Sequence, residues 1–367
     1  MTDSLILKLQ EPKVFDAFIQ ENMKTSSYVA EWKAEMGSPE YCAAKAYQAY
    51  LAEYKAAVVG SVIDKNGDKP THQMPTMQEL FGTIGRIGDE WQMDNERLSQ
   101  YYYLEGRYND KVAAGLYTES QRVTEYEKLI KFAFDPFEKA VIAPHKRIDM
   151  LYFEGLFNGT QTVSRSNNTK ANISYEIDLG VKKFKAKVAA WGEANSTPIQ
   201  DIVDICDYIN SLGKTVMKIR MSKGTFRKMC KADEIVKAFT LKLGRADVKP
   251  ALVSVNDVNA YLESNLLPTI QVEKDRFATL ADGSSVNLTP HNRVVFQCAD
   301  RVAILKVSDP LEAVDKLPNK TYSVYDDNLV GFWRSERGRF TDYEMWAQPV
   351  FDGKNNFFIL KTDEVEG

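Results

Sequence analysis

Three aspartates recur at every third position in one predicted helix of this sequence. The helix begins at Pro198, and Asp201, Asp204 and Asp207 fall on its polar face. Carboxylate oxygens are the ligands that hard divalent cations prefer, so the spacing is compatible with a metal site whose other ligands come from elsewhere. A solvated helix face has the same spacing, and the sequence favours that simpler interpretation.

A second group that could bind a charged ligand is the arginine cluster in the segment FWRSERGRF. Arg334, Arg337 and Arg339 lie among aromatic residues there. Guanidinium groups recognise phosphate and carboxylate oxygens, so the cluster is compatible with a phosphate contact or with an acidic side chain of a neighbouring subunit. A turn with paired arginines is the third interpretation. The contact with a neighbouring subunit and the turn with paired arginines are together favoured over nucleic-acid recognition.

Common enzyme motifs are missing from the sequence. It contains no G-x-x-x-x-G-K-[ST] or G-x-G-x-x-G loop, and no G-x-S-x-G or H-E-x-x-H signature. The four cysteines lack a C-x-x-C pair, which indicates reduced, buried thiols, and the three histidines share no motif spacing. We therefore expect no catalytic residue, cofactor or metal. An α/β enzyme whose site uses scattered carboxylates such as Asp201 and Glu344 stays an alternative.

Composition narrows the class of protein further. The 367 residues are 44% apolar and 27% charged, which predicts a globular chain of two or three domains or lobes. The net charge of −4 gives no basic footprint for gripping nucleic acid. The start, Met1-Thr2-Asp3, has no secretory signal pattern, and no run of eighteen apolar residues predicts a membrane span.

The longest predicted element is a helix over residues 118–157, which we call the spine. Apolar residues recur along it at helical spacing, and Asn158-Gly159 supplies a stop. Pro136 and Pro144 each remove an internal hydrogen bond, so we expect a bend or a break. At 1.5 Å per residue the spine reaches roughly 60 Å, a length suited to supporting something flat.

The chain before the spine predicts an arm and a long hairpin. Residues 12–23 and 39–57 have helical patterns, and either an arm lying on neighbouring chains or an ordinary helical cap explains them. A strand at 56–63 then meets an Asn-Gly turn, and the return towards residue 87 is interrupted by glycines. We expect a mobile hairpin, with a plain surface hairpin as the equal alternative. The charged tip consists of Asp64, Lys65, Asn66, Gly67, Asp68 and Lys69. A polar helix over 94–111 follows, and its successive tyrosines suit either contact with other chains or burial in its own.

The chain after the spine predicts strands around a compact lobe of helices on a central sheet. Thr197, Ser222 and Asp257 are predicted to cap helices that begin at 198, 223 and 258. Lysines alternate with apolar residues in 181–191, which favours a half-buried strand over a phosphate contact. The remaining predicted strands are 160–163, 173–179, 215–221, 269–272, 293–297, 302–307, 340–350 and 356–361.

The order of these elements resembles the major capsid proteins of tailed phages, specifically the lambda-type group often called major capsid protein E. Each segment that carries the resemblance is weak alone, and their order and spacing over residues 56–361 make it specific. The segments are 151–159 (LYFEGLFNG), 175–180 (YEIDLG), 190–191 (AW), 197–202 (TPIQDI), 221–226 (MSKGTF) and 344–350 (EMWAQPV).

The resemblance implies the α+β Hong Kong 97-type capsid fold. Residues 1–55 would form the N-terminal arm and 56–92 the extended loop. Residues 93–194 with 321–367 would form the peripheral lobe that contains the spine, and 195–320 the axial lobe. Such subunits make hexamers and pentamers of an icosahedral shell and have no reactive centre. Residues 64–69 would contact a neighbouring subunit.

The resemblance also implies partners and a location. The shell would be assembled in the host cytoplasm and become the virion capsid around packaged double-stranded DNA, without sequence-specific binding and without a membrane. The arm is too short for a fused scaffold, which implies a separate scaffold protein, together with a portal. A decoration protein is a further candidate partner. The type phage cross-links a loop lysine, and Lys65 and Lys69 lie in the corresponding loop, but no signature marks an asparagine partner. A nanocompartment shell of the encapsulin kind is the alternative within the same fold.

Overall fold

A computed structural model describes residues 4–24, 26, 28–43, 45–52, 77–168, 173–243, 253–280, 282–351 and 355–366. The predicted strand at 56–63 and the hairpin tip at 64–69 lie outside the described residues. The chain divides into two compact units. The first contains the described residues of Met1–Tyr47, Gly82–Asp149 and Leu305–Gln348, and the second those of Gln48–Phe81, Met150–Ile304 and Pro349–Gly367.

The described helices and strands alternate irregularly along the chain, as in an α+β protein. The helices are α1 (Leu5–Lys8), α2 (Pro12–Lys24), α3 (Trp32–Met36), α4 (Asn95–Ala113), α5 (Glu119–Asn158), α6 (Pro198–Ser211), α7 (Lys223–Met229), α8 (Asp233–Leu243), α9 (Val255–Ser264) and α10 (Leu311–Val314). The strands are β1 (Glu40–Tyr41), β2 (Ala46–Ala52), β3 (Met77–Thr83), β4 (Arg86–Asp94), β5 (Thr160–Val163), β6 (Tyr175–Asp178), β7 (Lys183–Ala186), β8 (Lys218–Ser222), β9 (Ile270–Glu273), β10 (Phe277–Thr279), β11 (Ser285–Asn287), β12 (Arg293–Gln297), β13 (Ala303–Ser308), β14 (Lys320–Tyr325), β15 (Asn328–Ser335), β16 (Gly338–Phe351) and β17 (Phe357–Val365).

The spine is present as the 40-residue helix α5, which confirms the prediction of one long helix. Both Pro136 and Pro144 lie inside it without breaking it, so of the predicted bend or break the break is wrong, and the bend stays a prediction. Phe137, Val141 and Ile148 are almost fully buried beside the prolines. We attribute the continuity to this burial, because packing of an apolar face offsets a lost backbone hydrogen bond.

The first unit is built on a sheet with the strand order β1-β13-β16-β15-β14, in which β4 also pairs with β16. Helices α1, α2, α4 and the first part of α5 contribute apolar residues to the same core as β15. Three rings mark its centre: Phe15 lies 5.3 Å from Phe137 and 5.7 Å from Phe332, centroid to centroid. Helices α1 and α2 therefore pack in the core of their own unit.

The predicted helix over residues 39–57 is wrong. Its first part forms β1, which pairs in parallel with β13 through Glu40↔Lys306 and Tyr41↔Val307. Its later part forms β2, which pairs with β3. The alanine and tyrosine spacing allowed a helix, but pairing with strands far along the chain decides the conformation. β3 lies in the predicted return of the hairpin, whereas its partner β2 lies in the segment that was predicted as a helix.

The second unit has helices on a central sheet, as predicted for this lobe, but the strand predicted at 302–307 is not part of that sheet: it is β13, which belongs to the sheet of the first unit. The sheet of the second unit has the strand order β7-β17-β12-β8-β9, with β7–β17 and β8–β9 parallel and the other pairs antiparallel. Helices α6, α7, α8 and α9 supply most of the buried residues packed with this sheet. The half-buried strand predicted within 181–191 is β7, where two exposed lysines alternate with less exposed apolar residues.

Helix caps in this unit were predicted with mixed success. The Ser222 hydroxyl accepts a hydrogen bond from Thr225 N at 3.1 Å, as predicted. Helix α9 begins earlier than predicted and is capped by Ser254, and Asp257, the third residue of the helix, completes a capping box. Thr197 stands at the predicted position but makes no capping bond, and the Glu234 carboxylate accepts from Ile199 N at 2.8 Å.

Candidate functional site

The arginine cluster lies on the hairpin formed by β15 and β16. The two strands pair antiparallel, with Arg334 opposite Arg339 and Ser335 opposite Gly338. Gly338 has φ of +134°, and a Cβ there would lie 2.3 Å from the backbone oxygen of Met93. Only glycine fits this close approach, so the residue type at 338 fixes where the hairpin turns.

The three arginines have different environments. Arg334 and Arg337 are exposed, whereas Arg339 is only 2% exposed. Arg339 lies between two paired strands, because β16 also pairs with β4 through Arg339↔Met93. Arg334 lies past the end of β14, whose last partner on β15 is Trp333. Arg334 and Arg339 point to the same face of the sheet, since directly opposed residues share a face.

That face borders a groove of about 630 Å³ beside the first turns of α4. The groove is lined by Asn95, Leu98, Ser99, Tyr102, Arg334, Ser335, Glu336 and Arg339. The structure therefore brings two of the three predicted arginines into one groove, and Arg337 is not among its lining residues. The part contributed by α4 was not predicted, because no local pattern links residues 95–102 to residues 334–339.

The electrostatics of the groove favour an anion. The guanidinium of Arg339 lies 5.5 Å from the ring centroid of Phe332, and its buried Nη1 has no hydrogen-bond partner in the part of the chain that the structure describes. The groove also lies at the N-terminal end of α4, which carries partial positive charge. Asp94 caps that helix by accepting from Arg97 N at 2.8 Å. The arrangement is suited to binding an anionic group rather than to catalysis.

The three aspartates of α6 do not form a metal site. Asp201 is buried, and it accepts hydrogen bonds from Trp191 Nε1 at 2.8 Å and from Lys187 N at 3.1 Å. Burial raises the pKa of Asp201. Asp204 pairs with Lys187 Nζ at 2.5 Å, and Asp207 is exposed. Among the residues that the structure describes, no group of three potential metal ligands comes together. The solvated-face interpretation is wrong for Asp201, which is a buried structural acceptor.

The carboxylate of Glu344, named in the enzyme alternative, is engaged in structural contacts. It forms an ion pair with Arg86 at 2.6 Å and accepts from Trp346 Nε1 at 2.6 Å. Glu344 belongs to the first unit and Asp201 to the second. Each of the two carboxylates accepts a hydrogen bond from a tryptophan Nε1 near it in sequence.

A serine, a histidine and an aspartate also meet in the second unit. Ser222 Oγ lies 3.0 Å from His291 Nδ1, and His291 Nε2 lies 3.9 Å from Asp275. Ser222 is fully buried, and its hydroxyl already caps α7. A nucleophile must be reachable by its substrate, so this group fastens α7 to the loop that carries His291.

A buried polar cluster connects the segment 28–32 to α5 in the first unit. Asp149 accepts from Trp32 N at 2.7 Å and from the Tyr28 hydroxyl at 3.2 Å. His145 accepts from Trp32 Nε1 at 3.3 Å through Nδ1. Burial raises the pKa of Asp149 to about 6 and lowers the pKa of His145 to about 4. These pKa shifts arise from desolvation in a closed cluster. Both side chains hold the segment 28–32 against α5.

None of the described helices has the length and apolar character needed to cross a membrane. Comparison with models of known protein families gives no match. Comparison with curated proteins gives none either.

Solved structures do match the chain. A protein described as the capsid protein of a prophage of Escherichia coli CFT073 is 12% identical, with a TM-score of 0.53 over 95% of this chain and 98% of its own. The capsid protein of cyanophage A-1(L) is 12% identical, with a TM-score of 0.46 over 92% and 94%. A virus-like particle protein from Pyrococcus furiosus is 7% identical, with a TM-score of 0.39 over 94% and 97%.

The match to the prophage protein extends over nearly all of both chains, so it concerns the complete fold rather than one shared lobe. At 12% identity it establishes fold and not activity. The α+β fold that the sequence resemblance implied is confirmed: this chain has the fold of phage capsid proteins, the Hong Kong 97-like fold.

Proposed function

We propose that the chain is the major capsid protein of a tailed phage, and that its copies assemble into hexamers and pentamers of an icosahedral shell around double-stranded DNA. The observation that carries this proposal is the match to the prophage capsid protein, because the structural alignment covers 95% of this chain and 98% of that one. Little of either chain remains outside the shared fold that would supply a different function.

The proposed function implies a role for each segment of the chain. We assign residues 1–55 to an arm, 56–92 to an extended loop, 93–194 with 321–367 to a peripheral lobe, and 195–320 to an axial lobe. In this assignment the axial lobes meet around the capsomer axes. The loop tip, residues 64–69, contacts a neighbouring subunit. Part of the arm, α1 and α2, also packs in the core of its own unit.

The surface of α4 and the beginning of α5 supports a role among many copies. The two helices contact each other through tyrosines, with Tyr108 centred 5.8 Å from Tyr126. Nearby apolar side chains stay uncovered in the single chain, including Tyr103 at 68% exposure and Leu116 at 69%. A shell subunit covers such surface with neighbouring copies, which gains free energy from apolar burial.

The partners follow from the same proposal. A separate scaffold protein would direct assembly, a portal would admit the DNA, and a decoration protein is a further candidate on the outer surface. With a net charge of −4, the chain would not grip packaged DNA strongly, because strong phosphate binding needs many exposed cations. Assembly would take place in the host cytoplasm.

Electron microscopy of the purified chain, alone and with the candidate scaffold protein, tests the proposal. Shells, capsomers or tubes support a shell protein. Shells that form around packaged protein and exclude DNA during phage growth would instead indicate the nanocompartment alternative. A discrete small oligomer under every condition would contradict the proposal.

A further inference from the structure

We propose that the groove between α4 and the β15–β16 hairpin binds a carboxylate, and that an Asp or Glu side chain of a second copy of this chain supplies it. This inference rests on the proposed function, which brings copies together. It goes further by naming the residues and the chemistry of one contact between them.

Two like charges lie opposite each other on the hairpin. Arg334 and Arg339 are direct cross-strand partners on one face of the sheet. Like charges in this position destabilise a strand pair, and an anion between them removes the repulsion. In the described part of the chain, neither arginine forms an ion pair with a carboxylate, although ion pairs are frequent elsewhere in the first unit, for example Arg97 with Asp135 at 2.9 Å.

Arg339 also has a buried guanidinium nitrogen that lacks a partner in the described chain. Arg339 is 2% exposed, and its Nη1 has no hydrogen-bond partner among the described residues. A buried charged donor that makes no hydrogen bond costs the free energy of its lost hydration. Such a group therefore indicates that a ligand supplies the missing partner. The acidic residue of the groove, Glu336, does not pair with it. The backbone oxygen of Glu336 accepts a hydrogen bond from Asn95 Nδ2 at 3.4 Å.

The groove suits a carboxylate from a protein better than a phosphate from DNA. A guanidinium fork matches a carboxylate with two parallel hydrogen bonds. The walls include the apolar side chains of Leu98 and Tyr102, which suit a side chain with its connecting carbons. Binding a duplex requires a continuous basic surface, and here Glu336 lies in the groove itself. Tyr102 is 40% exposed, so the groove opens to the surface that a second copy would cover.

Charge reversal at Arg334 tests the site, with a matched control three positions away at Arg337. Arg334→Glu should raise the concentration needed for assembly by roughly tenfold or more, because it removes a charge partner and adds repulsion. Arg337→Glu changes the same charge in the same turn but outside the groove, and it should assemble within roughly twofold of the wild type. Arg334 is exposed, so both variants should fold. Equal assembly of the two variants would overturn the inference.

A photo-crosslinking experiment identifies the occupant. Replacing Tyr102 with p-benzoylphenylalanine puts a reactive aromatic ketone in the wall of the groove. In assembled particles, we expect crosslinks between copies, at a peptide that contains Asp or Glu. Crosslinks to DNA, crosslinks confined to one copy, or none at all would overturn the carboxylate proposal while the assembly itself upheld the proposed function. A wild-type chain that forms no particle would overturn both.

Discussion

The backbone N–H of Trp32 donates a 2.7 Å hydrogen bond to the carboxylate of Asp149, 117 positions further along the chain. The bond holds the beginning of α3 against α5, inside the cluster that also contains His145. Both ionisable groups are buried with shifted pKa values, so the stability of the first unit should depend on pH in a way that this cluster explains.

The two groups act in opposite directions when the pH falls. The folded-state pKa of His145 is lowered to about 4, so its contribution to stability is present above its ordinary pKa of 6.5 and is lost as the pH falls through 4. The folded-state pKa of Asp149 is raised to about 6, so its contribution is present below its ordinary pKa of 3.8 and is lost as the pH rises through 6. Between pH 6 and 4 the two effects partly cancel.

Asp149→Asn should therefore make the unassembled subunit more sensitive to acid. The variant keeps the His145 effect and loses the compensation, so its free energy of unfolding should fall more between pH 6.5 and pH 4 than that of the wild type. The difference should be up to about 3 kcal/mol, since one pKa unit corresponds to about 1.4 kcal/mol. Urea unfolding at several pH values measures it. Parallel pH profiles of the two proteins would exclude this role of Asp149.

A second prediction concerns the buried ion pair of the second unit. Arg220 is fully buried on β8, and its Nε donates to Glu273 at 2.7 Å, while Arg276 reaches the other carboxylate oxygen at 3.0 Å. Glu273→Gln removes the compensating charge and should cost roughly 3 kcal/mol of unfolding free energy. Chemical denaturation of the unassembled subunit measures this loss.

Glu21→Gln is the control for that substitution. Glu21 pairs with Lys24 at 2.9 Å, and both side chains are largely exposed. Exposed ion pairs contribute little to the free energy of unfolding. The unfolding free energy of this variant should therefore stay within about 0.5 kcal/mol of the wild-type value. Similar losses for the two variants would show that burial does not set the strength of the Arg220–Glu273 pair.

A third prediction separates the two interpretations of the aspartates on α6. Asp201→Ala leaves the donors of Trp191 and Lys187 without their acceptor, so it should cost about 1–3 kcal/mol of unfolding free energy. Asp207→Ala, on the exposed side of the same helix, should cost less than about 0.5 kcal/mol. Magnesium or calcium should not change the unfolding free energy of the wild type. Stabilisation by either ion that disappears in Asp201→Ala would restore the metal interpretation.

The fourth prediction concerns the loop tip, residues 64–69. Its deletion should leave soluble subunits whose unfolding free energy is close to that of the wild type, because the tip consists of charged and polar residues and a glycine, and charged or polar side chains seldom contribute to a core. Assembly of the deleted chain should be strongly impaired. Light scattering of matched samples follows it, and a normal rate and yield of particles would show that the tip makes no essential contact.

Elements held by local patterns were predictable from the sequence. The apolar spacing of α5 continues over forty residues, and the Asp94 cap and helix-forming residues after it define α4. The segment 39–57 was predicted wrongly because its conformation depends on Lys306 and Val307, more than 260 positions away. Periodicity within one segment carries no information on such pairing.

The candidate site shows the same limit. The segment FWRSERGRF indicated that three arginines would lie close together, and a turn with paired arginines is what the hairpin contains. Which of them is buried depends on the neighbours of each strand: β4 covers Arg339, whereas β14 ends before Arg334. The wall contributed by α4 follows from tertiary packing alone, so the groove becomes visible only in the structure.

The central claim is that copies of this chain form a closed shell. Image reconstruction of the particles from the chain and its scaffold protein tests it most directly. We expect icosahedral particles with rings of five and six copies, each with its axial lobe, residues 195–320, at the ring centre. Particles without such rings, or a chain that remains a monomer at every concentration with and without scaffold protein, would contradict it.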